Sequence, residues 1–187
     1  MGGNKMYLKK LYVENFRGYK KFEVDFNRDM SVIIGCNDIG KSTLLDALNI
    51  FFNDVMPDVS DCNIFAEEKQ IIIGVCFEVD DKELIIIDAS NPTTLKEEFL
   101  LNQDGLLDIR KTFRCSGQSV TKSCMDIYIN AVYPQLPDGL VITYTQRELK
   151  DLLTKYKNEL PNYESINKTK KADMRKALYN YLISNDT

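Results

Sequence analysis

Nine residues of this chain have types and spacing that could bind phosphate. Gly35-Cys36-Asn37-Asp38-Ile39-Gly40-Lys41-Ser42 fits the pattern Gly-x-x-x-x-Gly-Lys-Ser/Thr, and Thr43 follows it. Gly35 and Gly40 permit the backbone turns that aim several N–H groups into one concavity, an anion nest, with Asn37, Asp38 and Ile39 forming the loop between them. A helix opening near Lys41 would add the partial positive charge of its N-terminus at the same place. Lys41 brings a mobile ammonium to the β- and γ-phosphates, Ser42 offers a hydroxyl to Mg2+, and Thr43 is placed to bond an α-phosphate oxygen. The chemistry implied is binding of a nucleoside triphosphate, ATP above all, with magnesium. Glycine makes up about 7% of residues in general, so a chance match in a chain of this size is on the order of 1%. The competing reading is a Gly-rich turn beside a surface lysine.

Other chemistry is sparse. The 187 residues contain no histidine, and five cysteines at positions 36, 62, 76, 115 and 124 form no Cys-x-x-Cys pair. A zinc site, a disulfide framework and histidine-dependent catalysis are therefore not expected, and the cysteines read as small core residues. Asp80-Asp81 and Glu97-Glu98 read as solvated acidic surface. Lys168, Lys170, Lys171, Arg175 and Lys176 cluster near the C-terminus, which suits either nucleic-acid phosphates or a solvated helix face. Charge is unevenly spread: residues 51–108 hold three Lys/Arg against fourteen Asp/Glu, whereas residues 1–28 hold seven against three. The longest apolar run is four residues, Leu84–Ile87, and the N-terminus lacks a signal-peptide core, so a cytoplasmic location is expected.

The elements that must position the loop are legible from periodicity. A first strand is expected at 6–13, a turn at Asn15–Gly18, and a half-buried strand where Phe22, Val24 and Phe26 alternate with Glu23 and Asp25. Met30–Ile34 reads as a third strand buried on both faces, feeding the loop. A helix at 41–52 follows, with Leu44, Leu45, Leu48, Phe51 and Phe52 on its apolar stripe. Ile71–Val79 and Leu84–Ile87 read as strands. Asp104-Gly105 suggests a type I′ hairpin joining 100–102 to a strand bearing Leu107, Ile109 and Phe113. Met125–Tyr133 alternates again, with Ile127, Ile129 and Ala131 aligned. Thr145 and Glu148 match a capping box ahead of a helix with Leu149, Leu152, Leu153, Tyr156 and Leu160 on its stripe, stopped by Pro161. A last helix at about 170–183 aligns Met174, Leu178, Tyr181 and Leu182. The fold class expected is α/β: a P-loop lobe with a mixed sheet, a largely antiparallel β middle section and C-terminal helices. One partial domain is expected over 1–187, divided into a P-loop subdomain (1–56), a β-rich section (57–140) and a helical section (141–187).

Leu11-Tyr12-Val13-Glu14-Asn15-Phe16-Arg17-Gly18-Tyr19, a second short strand, and then Ile33–Leu48 around the loop resemble the start of SMC/RecF-type ABC ATPase heads. Within that group the chain is most similar to the OLD (overcoming lysogenization defect) family and related AAA-like ATPases of bacterial defence systems. The resemblance implies that Arg17 is a basic residue that reaches the bound nucleotide, and that Asn37 is the loop asparagine common in this group. It implies two heads sandwiching ATP, hence a homodimer or larger assembly, with DNA as a partner of the complete protein and other defence proteins as further partners. Such heads hydrolyse ATP with a Walker B strand ending in Asp-Glu and a Ser-Gly-Gly-type signature. Neither is present: Leu84-Ile85-Ile86-Ile87-Asp88 imitates Walker B, but Ala89 stands where the glutamate should be. The endonuclease centre of the OLD family is an acidic metal site in a Toprim domain beyond this length. The catalytic residues are thus unknown, and this chain alone is expected to bind ATP without turning it over. Two alternatives stand beside this reading: a non-hydrolysing nucleotide-binding interaction module, and an unrelated P-loop kinase or GTPase. The last is disfavoured by the absence of an Asn-Lys-x-Asp motif and of clear lid arginines.

Overall fold

The computed structural model describes residues 6–34, 40–80, 82, 84–88, 91–134 and 139–185. Two compact units divide the chain, one within Met1–Val79 and Asp104–Asn130, the other within Asp80–Gln103 and Ala131–Thr187.

The first unit is a five-stranded sheet with one long helix. β1 (Tyr7–Phe16), β2 (Tyr19–Asp25), β3 (Gln70–Glu78), β6 (Leu107–Arg114) and β7 (Met125–Asn130) lie in the order β2-β1-β3-β6-β7, every pair antiparallel. The period-2 pattern makes the sheet two-faced. Leu11, Val13, Ile71, Ile73, Val75 and Phe113 are fully or almost fully buried, and register sets Leu11 opposite Val75 and Val13 opposite Ile73. Helix α1 (Lys41–Asn53) packs on β3 and buries Leu44, Ala47, Ile50 and Phe51. On the sheet's other face Tyr12, Gly74 and Arg110 are in register, and the Arg110 guanidinium lies 5.1 Å from the Tyr12 ring centroid. Gly74 makes that approach feasible, because a Cβ there would lie 3.1 Å from Arg110 Cγ.

Several expectations are corrected here. Met30–Ile34 forms no strand; Met30, Val32 and Ile34 are 73%, 70% and 90% exposed. Its composition suits a sheet interior, but no described strand pairs with it. The sheet is consequently antiparallel throughout rather than mixed. The buried arc of α1 is centred on Ala47, so Leu45 and Phe52 turn outward. β6 pairs with β3 and β7 instead of with 100–102, which is not a strand; Gly105 alone in that turn has positive φ, at 73°. β7 is an edge strand, and its Ile127 and Ile129 are exposed.

One buried lysine, which periodicity alone would not place in a core, joins α1 to the sheet. Lys111, 7% exposed on β6, donates to the Phe51 carbonyl at 2.7 Å and pairs with Asp54 at 2.5 Å. Its charge sits where the helix C-terminus leaves carbonyls without partners. Lys111 also holds the Asp54 carboxyl below its ordinary range.

The second unit holds a two-stranded ribbon, β4 (Leu84–Asp88) with β5 (Asn91–Thr94), and two helices, α2 (Gln146–Lys155) and α3 (Lys171–Asn185). Leu84 and Ile86 of the ribbon are exposed, unlike the buried strand that a Walker B carboxylate requires. Leu149, Leu153, Leu160, Met174 and Leu178 form the helical core with Val141 and Tyr179. The acidic pair is not uniformly solvated: Glu98 and Arg175 are 2% and 1% exposed and meet through two hydrogen bonds of 2.6 and 2.7 Å. Arg175 is thereby withdrawn from the basic cluster, and Lys176 pairs with Glu97 at 2.8 Å. No helix among the described residues is long and apolar enough to cross a membrane.

Candidate functional site

Helix α1 starts in an unusual way. Its N-cap is Gly40, in the left-handed region with φ 82° and ψ 10°, a residue with no side chain of its own to cap the helix, and its first turn carries no acidic residue. Helices ordinarily fill this position with Ser, Thr, Asp or Asn, whose oxygen takes up an orphan N–H. Gly40 is required twice over. Its φ strains any other residue, and a Cβ built there would lie 1.9 Å from the Tyr19 Oη. Tyr19, the first residue of β2, thus closes over the junction between loop and helix. Lys41 and Thr43 are half-buried, whereas Ser42 is exposed. Of the other loop residues expected in the site, Gly35, Asn37, Asp38 and Ile39 lie outside the described residues.

Arg17 occupies the tight turn between β1 and β2, where Phe16 pairs with Tyr19. Its φ of 51° is left-handed. The guanidinium donates through Nε to Asp61 at 2.8 Å and through Nη1 to Asp46 at 2.5 Å, and it lies 5.0 Å from the Phe16 ring centroid. These carboxylates, Asp61 first, raise the Arg17 pKa above its ordinary value. Asp46 stands four residues after Ser42, so the two share one face of α1. Arg17 is therefore brought beside the helix that opens the phosphate loop. Sequence reasoning did not find Asp46, Asp61 or Tyr19. The Ser42/Asp46 spacing was a local signal for the first. Asp61 and Tyr19 meet their partners only through tertiary contact, and no spacing rule reports that.

The donors fit a polyphosphate: a helix N-terminus whose cap residue is a glycine, a lysine at its first position and two hydroxyls. Among the described residues no group of three or more His, Cys, Asp or Glu could hold a metal ion. A magnesium ion would therefore rely on Ser42 and on phosphate oxygens, a ligand set that suits this cation.

The DNA replication and repair protein RecF of Clostridium acetobutylicum is 42% identical over 43 residues, which is 23% of this chain and 12% of that protein. The DNA double-strand break repair Rad50 ATPase of Methanosarcina mazei is 52% identical over 42 residues, 22% of this chain and 4% of its own length. The chain thus spans only a small part of these curated relatives. A solved structure from work on ATP-driven dimerization and DNA-stimulated activation of SMC ATPases is similar over 97% of this chain and 99% of that one, with 18% identity and a TM-score of 0.47. The likeness read from the sequence is thus matched by similarity to RecF and Rad50 proteins over short segments of this chain. Residues 6–187 match the family described as AAA ATPase domain, and the chain belongs to that family of ATP-binding domains.

Proposed function

We propose that this chain is the ATP-binding portion of an OLD-like ATPase or nuclease that acts on DNA, in phage defence. Lys41 meets the β- and γ-phosphates, Ser42 a magnesium ion and Thr43 the α-phosphate, within the loop Gly35–Thr43, which includes Asn37, Asp38, Ile39 and Gly40. Arg17 approaches the nucleotide from the β1–β2 turn. The observation that carries the nucleotide reading is the start of α1 at a left-handed Gly40, which brings no capping side chain, followed by a first turn without a carboxylate. The magnesium ion screens charge on the triphosphate. Walker B, the signature and the nuclease centre lie in other sequence, so this chain binds ATP with little turnover. Two heads engage around ATP as a homodimer or larger assembly, in keeping with the ATP-driven dimerization named for the SMC structure.

The test is titration of the 187-residue chain with a fluorescent ATP analogue and Mg2+, with light scattering to follow mass. Saturable binding and ATP-dependent dimerization, both lost in Lys41→Ala, are the expected results. Vigorous Lys41-dependent hydrolysis by this chain alone would overturn the division of labour. Binding without dimerization would favour a second reading, a non-hydrolysing interaction module. The exposed apolar segment Met30–Ile34 favours that reading, since a surface of this kind suits a partner.

A further inference from the structure

The segment Asp58–Asn63 has no place in the phosphate-loop motif, yet it grips Arg17 at three points. The Arg17 N–H donates to the Asp61 carbonyl at 2.6 Å, Nε donates to Asp61 Oδ1 at 2.8 Å, and Asn63 Nδ2 donates to the Arg17 carbonyl at 2.7 Å. The segment is itself fixed. Asp61 Oδ2 accepts from the Asp58 N–H at 2.9 Å, and the Asp61 N–H returns to the Asp58 carbonyl at 3.0 Å. Asn63, 3% exposed, also donates its backbone N–H to the Asn15 carbonyl at 2.9 Å. Such a set of bonds can hold the left-handed φ of a non-glycine residue, which costs free energy on its own. A surface ion pair leaves its arginine free to swing. Here backbone and guanidinium are both located, and the guanidinium is delivered to Asp46, on the face of α1 that carries the Ser42 hydroxyl.

We infer that Asp61 is a positioning residue of the nucleotide site, which fixes the Arg17 guanidinium beside the start of helix α1 so that its remaining N–H donors are available to a bound triphosphate. The inference rests on the proposed reading of α1 as the triphosphate site. Asp61 touches no nucleotide in this role; it acts only through Arg17. Its loss and the loss of Arg17 must therefore be one loss and not two.

A double-mutant cycle tests this in the 187-residue chain, with a non-hydrolysable fluorescent ATP analogue, Mg2+ and a melting curve for each variant. Arg17→Ala and Asp61→Ala are each expected to weaken binding about tenfold, the size of one charge-assisted hydrogen bond. The double variant is expected to bind no more weakly than Arg17→Ala alone. Asp61→Asn removes the charge at nearly constant volume and serves if Asp61→Ala is unfolded; it too should add nothing to Arg17→Ala. Losses that multiply, unchanged binding in the Asp61 variants, or tighter binding on removing Asp61 would each overturn the inference. Lys41→Ala separates the two readings. If it binds as the parent does, the α1 site itself is wrong; if it loses binding while the Arg17/Asp61 losses multiply, only the positioning role fails.

Discussion

Helices α1 and α2 begin in opposite ways. At α2, Thr145 accepts from the Glu148 N–H at 3.3 Å, and Glu148 Oε2 accepts from the Thr145 N–H at 2.7 Å, so the helix closes its own end. At α1 a left-handed glycine, with no side chain of its own, takes the cap position, and the first turn has no carboxylate. The same backbone physics leaves orphan N–H groups at both ends. One end satisfies them with residues three positions apart, and the other has at its cap position a glycine, which brings no side-chain acceptor. The contrast extends through the units that hold these helices. The α2 unit buries an arginine with its own glutamate, while the α1 unit leaves Met30, Val32 and Ile34 in solvent. A finished helix end is a matter of stability, and an unfinished one is a place for chemistry.

The largest effect should fall on the finished side. Arg175→Ala leaves Glu98 buried without its partner, which typically costs about 3–5 kcal/mol. Urea denaturation should register that loss; a loss below about 1 kcal/mol would mean that the pair behaves like one at the surface. On the open side, Lys41→Ala should weaken ATP-analogue binding by roughly ten- to a hundredfold, while the melting temperature without nucleotide stays unchanged. A fall in that temperature would show that Lys41 serves the fold and would erase the contrast. Lys111→Ala should cost about 1–3 kcal/mol, because it strips the Phe51 carbonyl of its buried donor. That loss, read by thermal melting, would show that α1 is anchored at its C-terminus and left open only at its start.

Local rules reached both helix ends and missed much of what surrounds them. The Thr145/Glu148 box and the Gly40-Lys41-Ser42 start were legible because each needs only residues a few positions apart. The half-buried β2 and the buried β3 were legible from their periods. Met30–Ile34 misled because apolar composition reports what a segment suits, whereas a strand exists only where the fold pairs it, and no described strand pairs with this segment. The stripe of α1 was misjudged because small Ala47, and not large Leu45 or Phe52, faces the sheet. Arg17 was singled out by resemblance, but its grip by Asp61, 44 positions away, has no local signature. Glu98 with Arg175 and Lys111 with Phe51 are likewise long-range, and charge patterning reads such residues as surface.

The smallest effect is expected at the finished end. Thr145→Ala removes one acceptor from the box and should cost about 1 kcal/mol at neutral pH. The pH dependence belongs to Glu148, whose carboxyl lies below its ordinary value because the Thr145 backbone N–H, then the Thr145 hydroxyl, favour the ionised form. A carboxyl depressed in the folded state takes up its proton more readily in the unfolded state. Its contribution is therefore complete above the ordinary glutamate range and is lost as pH falls through the depressed value. Glu148→Gln has no proton to gain. The melting-temperature advantage of the parent over Glu148→Gln should thus be steady near neutrality and shrink in acid. An advantage that grew in acid would mean that the protonated form is the better cap. The first turn of α1 carries no carboxylate, so among the described residues the Glu148→Gln comparison has no counterpart at that helix start.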